Sequence, residues 1–156
     1  MHPYWRNTDP RPVLVVEDSD DDFETIVDAA LQVGVANRLV RAVDADGAAR
    51  LLSQHLPDDF AFMLLDYRLP GRDGLSLLRQ LRGDPQFAKL PIVVFSTSVN
   101  PRDREVFYDS GANAYHVKPM QYSDGVLTLA AIFVYWLNHV VLPQDSATGT
   151  LSGLPS

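Results

Sequence analysis

No cysteine occurs among the 156 residues, which excludes disulfides, thiolate chemistry and Cys-ligated zinc. Basic residues are in the minority: Lys plus Arg number 13 against 20 Asp plus Glu, for a formal net charge of −7. A nucleic-acid module normally carries a basic face, so this balance argues against nucleic acid as a partner. Long hydrophobic runs are also lacking. The longest, Val126 to Leu137, falls short of the roughly 20 residues that a membrane-spanning helix needs. Met1-His2-Pro3-Tyr4-Trp5-Arg6 contains no apolar leader stretch, so the expectation is a cytoplasmic protein with no membrane partner. What is present is an ordinary globular composition, 46% hydrophobic and 21% charged, at a length that suits one domain.

Apolar runs alternate with amphipathic stretches. Val13–Val16, Phe60–Leu65, Ile92–Phe95 and Ala114–Val117 are short and continuous, the pattern of parallel strands covered on both faces. Arg38-Leu39-Val40-Arg41-Ala42-Val43 has two arginines breaking its apolar run, which suits an edge strand. Between these runs, Phe23, Ile26, Val27, Ala30 and Leu31 fall on one helical face, with Gly34 as a stop. Asp46–Leu56 and a stretch capped by Asp73 and ending near Gly83 predict two further helices. Pro101–Ser110, stopped by Gly111, predicts a fourth, and Ser123–Leu142 a long fifth. Five strands alternating with five helices predict an α/β doubly wound, five-stranded parallel sheet, and an edge strand in second place fits the order 2-1-3-4-5.

Ligands of such sheets bind beyond the carboxyl ends of the strands. Here each of four apolar runs is followed by a polar group: Glu17 and Asp18, then Asp66, then Ser96, then Lys118. One acid after a strand is most often a helix cap, but capping does not account for hits on four strands with complementary charge. Crowded carboxylates with only oxygen donors call for a hard cation, of which Mg²⁺ is the natural choice. An ionised Asp beside such a cation can attack phosphorus to give an acyl phosphate, while Lys118 and the Ser96 hydroxyl neutralise phosphoryl oxygens. Asp20-Asp21-Asp22 reads as an acidic first helical turn favoured by the helix dipole. The four histidines show no mutual ligand spacing.

Together, Val-Leu-Val-Val-Glu17-Asp18, Leu-Leu-Asp66-Tyr-Arg-Leu-Pro70-Gly71-Arg-Asp73-Gly74, Pro91-Ile-Val-Val-Phe-Ser96-Thr97 and Gly111-Ala-Asn-Ala-Tyr115-His-Val-Lys118-Pro119 resemble the receiver domain of two-component response regulators, a flavodoxin-like fold. The resemblance spans roughly residues 12 to 142. It implies Asp66 as phosphoacceptor, and Mg²⁺ held by Glu17, Asp18, Asp66 and the main-chain carbonyl of Arg68. Ser96 is then the switch hydroxyl and Tyr115 the switch aromatic. Lys118 contacts the phosphoryl group and precedes a cis bond to Pro119. Glu17 departs mildly from a position that is often Asp. The donor implied is a sensor histidine kinase. Val-Glu-Asp-Ser-Asp-Asp-Asp, Ser-Thr-Ser and the closing Trp136-Leu-Asn-His-Val-Val-Leu-Pro143 are similar to stand-alone receivers paired with bacterial phytochromes, which points to a light-sensing kinase. Activity would be limited to the domain's own phosphorylation and dephosphorylation, with output through protein partners. The alternative is a phosphorylation-independent, receiver-like adaptor.

The fifth helix carries two apolar stripes. Val126, Leu129, Ala130, Phe133, Leu137 and Val140 can face the sheet, whereas Leu127, Ala131, Val134, Tyr135 and Leu142 lie opposite. A helix apolar nearly all round calls for a second burial partner, either the chain's own tail or another subunit, and of the two a two-fold homodimer through the second stripe is the expectation. The chain is thus expected to divide into an N-terminal extension (1–11), the receiver domain (12–142) and a small, polar, flexible C-terminal tail or arm (143–156).

Overall fold

The computed structural model describes residues 7–55, 59–66 and 73–143. Strands β1 (Val13–Val16), β2 (Leu39–Ala42), β3 (Met63–Asp66), β4 (Ile92–Ser96) and β5 (Ala114–Val117) alternate with helices α1 (Asp20–Gln32), α2 (Ala45–Ser53), α3 (Gly74–Arg82), α4 (Pro101–Asp109) and α5 (Tyr122–Val134). The strands are all parallel and lie in the order β2-β1-β3-β4-β5. This is the doubly wound sheet expected from the sequence, with the arginine-interrupted strand at an edge.

Strand periodicity of two divides each central strand between two cores. Leu14 and Val16 of β1, Met63 and Leu65 of β3, and Ile92 and Val94 of β4 join a core with α2, α3 and Phe107 of α4. Val13 and Val15, Phe62 and Leu64, and Val93 and Phe95 join the opposite core with α1 and α5. The continuous apolar runs are the consequence of serving both. β5 behaves differently from its sequence. It is the second edge strand, only half-buried, and Val117 is exposed, because among the described residues no further strand pairs with it.

Local chemistry sets the helix ends. Ser19, Asp44, Asp73 and Asn100 each accept a hydrogen bond from a main-chain N–H of the turn that follows. α2 therefore begins at Ala45, capped by Asp44, one residue before the predicted start. Gly34 and Gly111 adopt positive φ of 76° and 105° after α1 and α4, as predicted helix stops. Leu31 is a correction: it is 71% exposed, and Ala29 takes the buried position on that face.

The last helix is shorter than predicted. α-Helical geometry ends at Val134, one π-helical turn spans Tyr135–His139, and Val140 is extended. The wider turn, closed by the Val140 N–H on the Tyr135 carbonyl at 2.9 Å, buries Leu137 and brings Trp136 to 6.2 Å from the Phe62 ring. Leu142 also packs against this core and so leaves the outward stripe. Residues 7–11 are held to the domain: Asn37 Nδ2 donates to the carbonyls of Asp9 and Arg11 at 2.8 and 2.7 Å, and Arg11 Nη1 donates to the Pro143 carbonyl at 3.0 Å.

Candidate functional site

The parallel sheet brings the ends of β1, β3, β4 and β5 to one edge, and four predicted groups arrive there with it. Lys118 follows β5, its N–H donating to the Ser96 carbonyl at 2.6 Å. Its ammonium donates to Asp66 Oδ2 at 3.1 Å, Glu17 Oε2 at 3.1 Å and Asp22 Oδ2 at 3.0 Å. The Lys118 side chain is only 10% exposed and that of Glu17 2%. The three carboxylates present oxygens within 4.8 Å of one another.

Asp22 is the residue that sequence reasoning missed. Its acidity was assigned to the helix dipole, yet the Ser19 cap, accepting from the Asp22 N–H at 3.2 Å, sets the first turn of α1 so that Asp22 reaches Lys118. The neighbouring acids go elsewhere. Asp20 accepts from Arg41 Nη1 at 2.7 Å, and Asp21 is exposed. Nothing in a run of three Asp residues marks the third. Asp18 is exposed and stands outside the carboxylate cluster. Arg68, also assigned to this site, lies outside the described residues.

The electrostatics follow from three acids sharing one ammonium. Burial, with the neighbouring Asp66 charge, pushes Glu17 up to about 8. The Lys118 contact opposes this but is divided among three carboxylates. Burial alone would lower Lys118, yet Asp66, Glu17 and Asp22 reverse that and raise it, so it stays charged. The donor set is all carboxylate oxygen, which fits a hard divalent cation such as Mg²⁺ or Mn²⁺.

Ser96 ends β4 fully buried, its Oγ accepting from the Ser98 N–H at 3.1 Å. Tyr115 Oη donates to the Ser98 carbonyl at 3.0 Å, and its ring lies 5.7 Å from that of Phe107. Ser98 Oγ donates to Asp103 Oδ2 of α4 at 2.6 Å. Ser96, Tyr115 and the start of α4 are thus joined through one serine. The Lys118–Pro119 bond is trans, as are all described peptide bonds, against the expected cis form. Trans is the intrinsically favoured isomer of such bonds, by about 0.5–1 kcal/mol.

On α5 and the π-helical turn that follows it, Leu127 (61% exposed), Tyr135 (55%) and Ala131 face outward, and Val134 is half-buried. With His116, Thr128, Ile132 and Trp136, three of these residues, Leu127, Ala131 and Tyr135, line a groove beside β5. Among the described residues no helix is long and apolar enough to cross a membrane.

Comparison with known proteins bears on the fold and the family. A sequence model of the response regulator receiver domain matches residues 13–130. The chain is 32% identical over 135 residues to the probable methanogenesis regulatory protein FilR2 of Methanothrix harundinacea, covering 83% of this chain and 85% of that protein. It is 28% identical over 138 residues to the response regulator Rcp1 of Synechocystis, covering 86% and 94%. The Mn²⁺-bound structure of Rcp1 superposes with a TM-score of 0.80, covering 86% of this chain and all (100%) of that one. The phosphorylated cyanobacterial phytochrome response regulator RcpA, 29% identical, superposes with a TM-score of 0.81, covering 87% and 100%.

Proposed function

Because this chain belongs to the response regulator receiver domain family, we propose that Asp66 accepts a phosphoryl group from a sensor histidine kinase and that the chain signals through changed protein contacts. The observation that carries this is the convergence of Asp66, Glu17 and Asp22 on the Lys118 ammonium at the carboxyl edge of the sheet. In the transfer, a carboxylate oxygen of Asp66 attacks phosphorus, the P–N bond to the donor histidine breaks, and an acyl phosphate forms. Attack by water on phosphorus later restores the carboxylate and releases inorganic phosphate. Lys118 neutralises a phosphoryl oxygen, and the Ser96 hydroxyl donates to another. Movement of Ser96 toward that oxygen loosens its bond from Ser98, and Ser98 passes the change to Tyr115 and α4.

Glu17 and Asp66 would hold Mg²⁺ from within the cluster, with Asp18 and the Arg68 carbonyl as further donors. Bound there, the cation supplies positive charge against carboxylate repulsion and against the charge developing on the phosphoryl oxygens. No external metabolite is turned over. The likeness to a phytochrome response regulator supports a bacterial phytochrome as the kinase.

The exposed Leu127, Ala131 and Tyr135, with Val134 beside them, support a homodimer through this face of α5. Leaving such a contiguous apolar stripe in water forfeits about 25 cal/mol per Å².

The deciding experiment is intact-mass analysis after incubation with acetyl phosphate and Mg²⁺. Addition of one phosphoryl group, lost in Asp66→Asn, is expected. No addition to the wild type would leave the phosphorylation-independent adaptor as the better reading.

A further inference from the structure

Arg41 lies on the edge strand β2, opposite Val15 in register. Its side chain is only 20% exposed, and it crosses to the loop between β1 and α1. Nε donates to the main-chain carbonyl of Glu17 at 2.9 Å, and Nη1 donates to Asp20 Oδ1 at 2.7 Å. The guanidinium also lies 4.9 Å from the centre of the Phe23 ring. The Glu17 N–H in turn donates to the Ala42 carbonyl at 3.0 Å. Glu17 is therefore fastened to β2 through both of its main-chain polar groups, and the first turn of α1 is fastened through Asp20 and Phe23.

We propose that Arg41 is a positioning residue for the divalent-cation site. Its fork fixes the direction in which Glu17 enters the carboxylate cluster and the placement of the turn from which Asp22 reaches Lys118. The inference rests on the reading that this cluster holds a divalent cation. The exposed Asp20 pair by itself contributes little. The planar fork, with Nε on the Glu17 carbonyl while Nη1 holds Asp20, and the placement of the guanidinium over Phe23 are what a lysine cannot reproduce. Charge and geometry make opposite predictions here. Removing a positive charge near a cation site strengthens cation binding by Coulomb's law, whereas loosening the loop weakens it.

The test is Mn²⁺ affinity, read by electron paramagnetic resonance, in the full chain and in Arg41→Gln, Arg41→Lys and Asp20→Asn, with circular dichroism confirming the fold. Arg41→Gln and Arg41→Lys are expected to raise the Mn²⁺ Kd about tenfold. Asp20→Asn is expected to change it by less than about twofold. Phosphorylation of Arg41→Lys by acetyl phosphate should recover the wild-type rate once Mn²⁺ is saturating. Should Arg41→Gln fail to fold, Arg41→Lys, which keeps the charge but not the planar fork, decides the matter. An unchanged or tighter Kd in Arg41→Lys, or a rate that stays low at saturating Mn²⁺, overturns the proposal. A wild type that binds no Mn²⁺ overturns the cation reading itself, a result distinct from either.

Discussion

The ammonium of Lys118 lies 3.1 Å from Asp66 Oδ2 across 52 residues of sequence. This pairing places a fixed positive charge beside the carboxylate proposed to attack phosphorus. The same ammonium meets Glu17 and Asp22, so the charge state of the cluster depends on all four groups.

Replacing Asp66 by Asn should abolish phosphorylation while the fold persists. Asp66 is proposed as the acceptor, and removing one of three crowded carboxylates relieves repulsion on Glu17. Intact-mass analysis after acetyl phosphate treatment, with thermal melting as the control for folding, checks both halves. A fully phosphorylated variant would move the acceptor elsewhere.

Lys118→Met should tighten Mn²⁺ binding and slow phosphorylation at the same time. The ammonium competes with a cation for the same oxygens, yet it neutralises the incoming phosphoryl group. Loss of this buried partner should also cost about 1–3 kcal/mol of stability. The cost should grow above pH of about 8, where Glu17 ionises. Urea melts at two pH values, paired with spin-resonance titration, would expose a failure of either expectation.

Mn²⁺ affinity should rise as pH increases through about 8, because the cation must displace the proton that Glu17 holds below that value. Stability of the metal-free chain should move the other way. The folded value of Glu17 lies above its ordinary value of 4.5. Its contribution is therefore full below that ordinary value and is lost as pH rises through about 8. Glu17→Gln should flatten both dependences, and an unaltered pH profile in that variant would assign the titration to another group.

A charge placed on the outer stripe of α5 should make the protein monomeric. Leu127→Asp together with Tyr135→Asp targets the two most exposed apolar side chains of that stripe. Light scattering at tens of micromolar should report a dimer for the wild type and a monomer for the double variant. A dimer indifferent to both charges would remove this face from the interface.

The sheet order, the edge position of β2 and the placement of Glu17, Asp66, Ser96 and Lys118 at one edge were legible in the chain itself. The continuous apolar runs of β1, β3 and β4 mark strands buried on both faces, that of β5 lies at an edge, and in a parallel sheet each strand delivers its following residue to the same side. Caps and glycine stops were legible for the same local reason: Asp73, Gly34 and Gly111 satisfy or permit main-chain geometry within a few residues of themselves.

Contacts between distant segments were not. Asp20, Asp21 and Asp22 are chemically identical and adjacent, and only the packing of α1 against α5 sends the third to an ammonium 96 residues away. The arginine that marked β2 as an edge strand gave no sign that its guanidinium would hold the Glu17 carbonyl. The π-helical turn, which buries Leu137 and draws Leu142 to the core, depends on the fit of Trp136 against Phe62. Periodicity determined which faces are apolar and where the strands end. The partner of each polar group was decided by the tertiary structure, because charge pairing depends on distance in space, which hydrophobic spacing along the chain does not encode.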